Sequence, residues 1–401
     1  MPRSSILRAF MCQGGRFVAH ALLASVAGGF VLWATPVGAQ VTLKLEKQLD
    51  MAALSAGQPG SVAAYGNSLY VGSLFGGARL YRIQNPLGTP SAADLFGGLS
   101  NPATNGGLAG PGPTTNGYVS LYTDGTTLVA ATENGGSTPD IAQSYQFGGT
   151  TLNWGANSGT SSMNTQTGTI DGAAVDPISG LVMTTGYGGD AQNFFNATTG
   201  AAQSVPGANI LFYPGVGTGW KDVTYDHATG DIYLRSVGGV ARGQRVAAAT
   251  GEFQTLNGNP GVQTIVDGVN DSASAINVEF LPASFAGQGL VILNNRNSAG
   301  TSFANIVKTY SATPPSSGGT ATDTPVAASF VLADGSTPFT TVSAASGIYD
   351  FSFDPVSNRL YVSDFSTSQV HVFSAVPEPA SVVYLGVAGL SAALFACRRR
   401  A

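Results

Sequence analysis

The sequence predicts an all-β fold in which repeated hairpins close into a ring, and three observations carry that expectation. Of 401 residues, 54 are Gly and only 39 are charged, 17 basic and 22 acidic. Helices draw heavily on Glu, Lys, Arg and Leu, and a chain so poor in charge and rich in Gly is suited instead to strands and tight turns. Yet 43% of the residues are hydrophobic, enough to bury a core, which excludes a charged disordered chain. Finally, one pattern recurs six times, an apolar strand, a polar turn and a returning apolar strand, then a Gly-rich loop and another strand, with its hairpins at 61–71, 119–129, 172–182, 222–233, 278–291 and 349–361.

Each repeat is justified residue by residue. Val175-Asp176-Pro177 and Phe353-Asp354-Pro355 end a strand, because Pro donates nothing to a ladder and Asp accepts from the turn backbone. Gly180, Gly230 and Asn358 supply the left-handed residue such a turn needs. Leu181-Val182, Ile232-Tyr233 and Leu360-Tyr361 then begin the return. Taking Leu69, Leu128, Leu181, Ile232, Leu290 and Leu360 as equivalent, the spacings are 59, 53, 51, 58 and 70 residues, the surplus lying in Gly, Ser, Thr and Pro loops such as 101–116 and 313–324.

A lone hairpin cannot bury both its faces, so repeated ones must stack or close on themselves. The run from Phe353-Asp354-Pro355 to Leu360-Tyr361-Val362 resembles the blades of NHL-like and YVTN-like β-propellers, a likeness that extends over most of 60–375. It implies a six- or seven-bladed β-propeller. A closing blade would take strands from both ends, residues 41–45 pairing near His371-Val372-Phe373, which removes exposed edges. A two-sheet sandwich or a β-solenoid would use the same hairpins.

The ends are of another kind. Arg3, Arg8 and Arg16 precede an apolar run over 17–33, and Val37-Gly38-Ala39 offers a small-x-small site for signal peptidase between Ala39 and Gln40. At the other end Val376-Pro377-Glu378-Pro379 is followed by 18 uncharged residues and then Arg398-Arg399-Arg400. This order gives a helix-breaking elbow, an apolar span of roughly 27 Å at about 1.5 Å per residue, and a basic stop. Together these residues resemble the PEP-CTERM sorting signal of Gram-negative bacteria. The resemblance implies recognition by an exosortase, removal of the tail, and delivery to the cell surface or an exopolysaccharide matrix. The expected domains are a signal peptide at 1–39, a propeller-like body at 40–375 and a sorting segment with a transmembrane helix at 376–401.

The body carries 21 acidic and 11 basic side chains, which argues against nucleic acid as a partner. Both cysteines, Cys12 and Cys397, lie in the terminal segments, so the body has no disulfide or thiolate chemistry. No His-Glu-x-x-His and no Gly-x-Ser-x-Gly occurs. Gly215, Gly217 and Gly219 precede an apparent strand, 220–225, and so make a turn with no helix N-terminus for a phosphate.

Carboxylates remain: Asp171, Asp176, Asp222, Asp226, Asp231, Asp350, Asp354 and Asp364 are expected at hairpin ends. Either each caps its own turn, or some, with Asp176, Asp226 and Asp354 as candidates, gather to hold Ca²⁺, a hard cation that takes oxygen ligands. His227 is expected exposed in its turn. Tyr65, Tyr70, Tyr81, Tyr122, Tyr187, Tyr213, Tyr225, Tyr233 and Trp220 suit either a core or a sugar-stacking face. The function these features favour is non-enzymatic: an exported binding or structural component that meets signal peptidase and exosortase on its way and exopolysaccharide or a surface protein at its destination, with no required cofactor. The alternative is a secreted propeller hydrolase or lyase, lactonase-like, using carboxylate-held Ca²⁺.

Overall fold

The structure is a computed structural model. It describes residues 40–376 apart from segments 74–78, 96–116, 134–140, 148–149, 155–168, 188–192, 199, 204–219, 237–238, 248–251, 254, 257–258, 261, 268–276, 297–304, 314–323 and 344–346. The signal segment with Ala39, the Gly215–Gly219 turn, the 101–116 loop, the Pro377-Glu378-Pro379 motif, the expected apolar span and Arg398 to Arg400 therefore lie outside the described residues. Among the described residues no helix is long and apolar enough to cross a membrane.

From Val41 onward the described chain is a series of small antiparallel sheets. It opens with β1 (Gln40–Asp50), whose partners come last in sequence. Sheet I joins β2 (Pro59–Tyr65), β3 (Ser68–Ser73), β4 (Leu80–Gln84) and β5 (Asp94–Leu95) in that order. Sheet II joins β6 (Gly117–Thr123), β7 (Thr127–Glu133), β8 (Ile141–Gln146) and β9 (Thr150–Trp154). Sheet III joins β10 (Thr169–Val175), β11 (Leu181–Tyr187), β12 (Asn193–Asn196) and β13 (Ala202–Gln203).

Sheet IV begins with β14 (Trp220–Tyr225), β15 (Ile232–Ser236) and β16 (Gly239–Gly243). Two small ribbons interrupt it, β17 (Arg245–Ala247) with β18 (Glu252–Phe253) and β19 (Thr255–Leu256) with β20 (Asn259–Pro260), before β21 (Val262–Asp267) completes it. Sheet V holds β22 (Val278–Leu281), β23 (Leu290–Arg296) and β24 (Asn305–Ser311), with one helical turn at Ala283–Ala286 between the first two. Sheet VI has the order β25 (Ala327–Val331), β1, β28 (Gln369–Val376), β27 (Arg359–Asp364) and β26 (Ile348–Asp354).

All six predicted hairpins form, as the first two strands of sheets I to VI. The left-handed positions fall where the turns require them, with φ of 67° at Gly180, 75° at Gly230 and 55° at Asn358. The expected pairing of the two ends also forms: Leu45 faces Phe373 and Gln48 faces His371, so β1 joins the sheet of the C-terminal strands, between β28 and β25. In five of the six hairpins the first strand shifts register once, between Pro59/Val62, Tyr118/Ser120, Ile170/Gly172, Trp220/Asp222 and Ile348/Phe351. Such bulges increase local twist and re-aim side chains.

The first strands touch one another in cyclic order: β2 with β6, β6 with β10, β10 with β14, β14 with β22, β22 with β26 and β26 with β2. Apolar clusters fill the spaces between neighbouring sheets. One packs sheet I on sheet II around Leu80, Tyr118 and Leu128, and another joins sheets II, III and IV around Val182, Phe195 and Leu234. Tyr233 and Phe280 stack between sheets IV and V, with centroids 4.9 Å apart. Leu290, Phe353 and Phe373 lie between V and VI, and Leu69, Tyr361 and Val372 between VI and I. The pattern follows from alternation along each strand: a four-stranded sheet has two apolar faces, and each is covered only by another sheet.

Candidate functional site

Along the first strands, at or beside the bulge level, each sheet contributes a buried polar side chain: Ser61, Ser120, Asp171, Asp222, Asn277 and Asp350. A carboxylate or amide among Val, Ala and Phe must find partners or lose several kcal/mol on burial. These find theirs on neighbouring sheets. Ser61 Oγ donates to the Tyr118 carbonyl (3.2 Å), joining sheets I and II, and Ser120 Oγ accepts from Ala173 N (3.5 Å), joining II and III. Lys221 Nζ meets Asp171 Oδ2 at 3.1 Å between III and IV. Asp222 Oδ2 accepts from Val278 N (2.9 Å) between IV and V, and Asn294 Nδ2 donates to the Tyr349 carbonyl (2.6 Å) between V and VI.

Sheet VI closes on sheet I with three such bonds in a row. Asp350 Oδ2 accepts from Val62 N (2.8 Å), Ser352 Oγ from Ala64 N (2.9 Å) and Asp354 Oδ1 from Gly66 N (3.0 Å). Two further bonds cross the ring between sheets that are not neighbours. Ser120 Oγ donates to Asp222 Oδ1 (3.1 Å), and Asn277 Nδ2 to the Val119 carbonyl (3.3 Å). The middle of the ring is thus bridged by the protein's own polar groups.

Three carboxyls in this region hold their protons tightly. Burial pushes Asp222 up to about 7, against hydrogen bonds from Val278, Val223, Ser120 and Asn277 that pull it down. Burial likewise pushes Glu279 up to about 8; its Oε1 accepts from Thr224 Oγ1 (2.9 Å), and the neighbouring Asp222 charge adds to the rise. Asp350 is raised well above the ordinary carboxylate range, first by burial and then by the charges of Asp222 and Glu279. This arrangement forms a buried polar plug and joins six sheets.

The predicted carboxylates divide by role. Asp176, Asp226 and Asp354 do cap turns, each accepting the N–H two residues on at 2.9 to 3.0 Å and a hydroxyl three residues on at 2.6 to 2.9 Å. They sit in three different hairpins, and among the described residues no group of three or more His, Cys, Asp or Glu side chains is disposed to hold a metal. Asp176 also pairs with Arg245, and Asp231 with Arg242. Asp171, Asp222 and Asp350 are not at hairpin ends as expected; they lie on the first strands, because the bulge turns them toward neighbouring sheets. Asp364 meets His371 Nε2 at 3.4 Å with both side chains fully buried; burial alone would raise its carboxyl, and hydrogen bonds from His371, Ser366 and Thr367 bring it below its usual range.

His227 is exposed in its turn, as expected, with its ring stacked on Tyr122 of sheet II (centroids 5.7 Å) and Nε2 at 3.0 Å from the Tyr122 hydroxyl. Tyr70, Tyr81, Tyr122, Tyr225, Tyr233 and Trp220 are buried and belong to the core, Tyr65 is half-buried at the end of β2, and Tyr213 lies outside the described residues. Ser120, Asn277 and Glu279 escaped sequence reasoning. The available signal was a lone polar residue at one level of each apolar first strand, visible only once the six strands are aligned.

The fold and its centre define an all-β protein of sheets joined in a ring. The destination is marked at its end: residues 375–400 match the PEP-CTERM protein-sorting motif, which indicates an exported protein, sorted by an exosortase and anchored in the membrane before processing. No curated protein matches the chain in sequence. Among solved structures, an auxiliary nutrient binding protein from Bacteroides thetaiotaomicron VPI-5482 is similar, with TM-score 0.47 and 9% identity, over 80% of this chain and 69% of that one. Another from Bacteroides ovatus ATCC 8483 gives 0.45 and 10% over 78% and 67%. A glucose dehydrogenase gives 0.48 and 10% over 84% and 99%.

Proposed function

We propose that the chain is an exosortase substrate whose body, 40–375, is a six-bladed β-propeller acting as a non-enzymatic binding or structural component at the cell surface or in the exopolysaccharide matrix. The observation that carries this reading is the sorting match at 375–400, which begins on the strand that helps close the ring. Six sheets with first strands in cyclic contact support the blade number. Cross-ring bonds that engage Ser120, Asp222 and Asn277 support a structural centre in place of a substrate-admitting one. In this reading signal peptidase cuts between Ala39 and Gln40, and the 380–397 span holds the precursor in the inner membrane until the tail is removed.

The test replaces Pro377→Ala together with Glu378→Ala. The precursor should then remain full length in the inner membrane while wild type is shortened, as read by fractionation and mass; normal shortening of the double variant defeats the sorting reading. Wild-type mature body should co-sediment with exopolysaccharide isolated from the same cells. Melts in micromolar Ca²⁺ address the hydrolase or lyase alternative, since a ligand bound only by the native state raises its midpoint. The midpoint is expected to stay within about 1 °C. A rise of several degrees that is lost in Asp176→Asn with Asp354→Asn would favour the alternative.

A further inference from the structure

The sorting match starts at residue 375, inside a folded strand. β28 runs to Val376, the last described residue, and the next in sequence is Pro377, a residue type that has no N–H for a ladder and biases the residue before it to extended backbone. Along most of its length β28 is paired on both sides, with β27 from Gln369 to Phe373 and with β1 from Gln369 to Val376. Its last three residues differ. Ser374, Ala375 and Val376 have passed the end of β27 and face only Lys44, Leu43 and Thr42 of β1. Exposure changes at the same point, for Phe373 is fully buried and set edge-on to Phe330 (5.2 Å, 74°), whereas Val376 is 36% exposed. Phe373 is therefore an anchor, and beyond it lies a tongue that one neighbouring strand holds in the ladder, with Ala375 half-buried against the apolar cluster between sheets V and VI.

A processing enzyme that grips peptide does so on extended, unpaired backbone on both sides of the bond it cuts, and cleavage acts on transiently opened chain. With Val376 in the ladder, the approach to Pro377 from the body side is occupied by β1. We propose that removal of the sorting tail requires Ser374, Ala375 and Val376 to peel from β1, so that the ring's closing strand and the exosortase compete for the same three residues. Peeling to Phe373 frees about 10 Å of chain at about 3.3 Å per residue, and strand ends with few buried contacts open at little cost. Phe373 sets the limit, which leaves the ring closed through β27, β28 and the rest of β1 while the tail is removed. In the cut itself the peptide bond near the motif breaks, the body's acyl group passes to a water or amine acceptor, and the departing tail nitrogen takes that acceptor's proton.

The inference rests on the sorting reading above, and the test separates the two. In the full-length chain with Cys12→Ser and Cys397→Ser, the facing pair is changed to Thr42→Cys with Val376→Cys, and in a second variant to Lys44→Cys with Ser374→Cys. Oxidised, either crosslink fastens the tongue and tail removal should slow at least tenfold; a reductant should restore it. A six-residue Gly/Ser insertion between Val376 and Pro377 should restore removal with the crosslink intact. Wild-type rates in both oxidised variants, or no rescue by the insertion, overturn the inference. Pro377→Ala with Glu378→Ala serves as the control: if it is shortened normally, the sorting reading itself has failed; if it stays full length, the crosslink result bears on the tongue alone.

Discussion

Arg245 is buried to within 2% of its side-chain surface, and its guanidinium pairs with the fully buried carboxylate of Asp176. The same side chain donates Nε to the Gly230 carbonyl (2.9 Å), and its backbone N–H reaches Asp231 Oδ1 (2.8 Å), so one residue clips the turn of sheet III to that of sheet IV. Removing one member of a buried pair leaves an uncompensated charge, so Arg245→Ala is expected to destabilise the body by about 3 to 5 kcal/mol. Urea denaturation at neutral pH measures this, and a loss under 1 kcal/mol would show that water reaches Asp176 freely. Half of the arrangement was legible in the sequence. Asp176 before Pro177, with Gly180 four residues on, spells its turn locally; its cation lies 69 residues away, in a stretch with no pattern to announce it.

Strands explain where part of the glycine is used. At Gly172 a Cβ would stand 2.8 Å from the Asp222 Cα and 3.0 Å from the Lys221 carbonyl oxygen, both backbone of the next sheet. Backbone cannot rotate aside as a side chain can, so Gly172→Ala must push β10 from β14 and is expected to cost about 1 to 3 kcal/mol. The denaturation midpoint should fall with an unchanged slope, since the surface exposed on unfolding stays the same; a variant as stable as wild type would place the two strands further apart. The first two strands of each sheet were readable because turn chemistry and alternation are local. A further strand after a Gly-rich loop and the pairing of β1 with β28 were readable too; the fourth strands of sheets I to IV and the ribbons β17 to β20 were not, because short strands owe their pairing to the edge already formed beside them.

Closing six sheets on one another concentrates acidic groups that the chain keeps far apart. Asp222, Glu279 and Asp350 come from sheets IV, V and VI, and burial makes each harder to ionise in the folded state, with charge repulsion adding to the rise at Glu279 and Asp350. The groups facing them are Ser120, Thr224 and Asn277, with backbone N–H donors of Val62, Val223, Val278, Phe351 and Phe353; Lys221 is held by Asp171. A carboxyl whose folded pKa lies above its unfolded one binds more protons when folded. Its contribution is therefore complete below about pH 4 and is lost as pH rises toward 7 for Asp222 and 8 for Glu279. Asp364 has the opposite sign, but its window lies below its ordinary value and does not overlap; burial lowers His227, whose contribution grows as pH rises to about 6.5 and opposes the decline below that point. Urea midpoints are thus expected to decline from about pH 6.5 to pH 8, and Asp222→Asn with Glu279→Gln should flatten that decline while keeping acceptors for Val278 N and Phe353 N. A flat wild-type profile would mean the plug is hydrated.

Hairpin number, turn chemistry, the pairing of the two ends and the sorting tail were all available from residue order, because each depends on neighbours a few positions apart or on a contiguous motif. The ring's polar centre was settled only by assembly. Its bonds join Val62 to Asp350 across 288 residues and Val119 to Asn277 across 158, and a side chain's partner at such separations is decided by which sheets pack together. Hydrogen bonds act over about 3 Å, so no spacing rule along the chain can encode which distant backbone a buried carboxyl will meet.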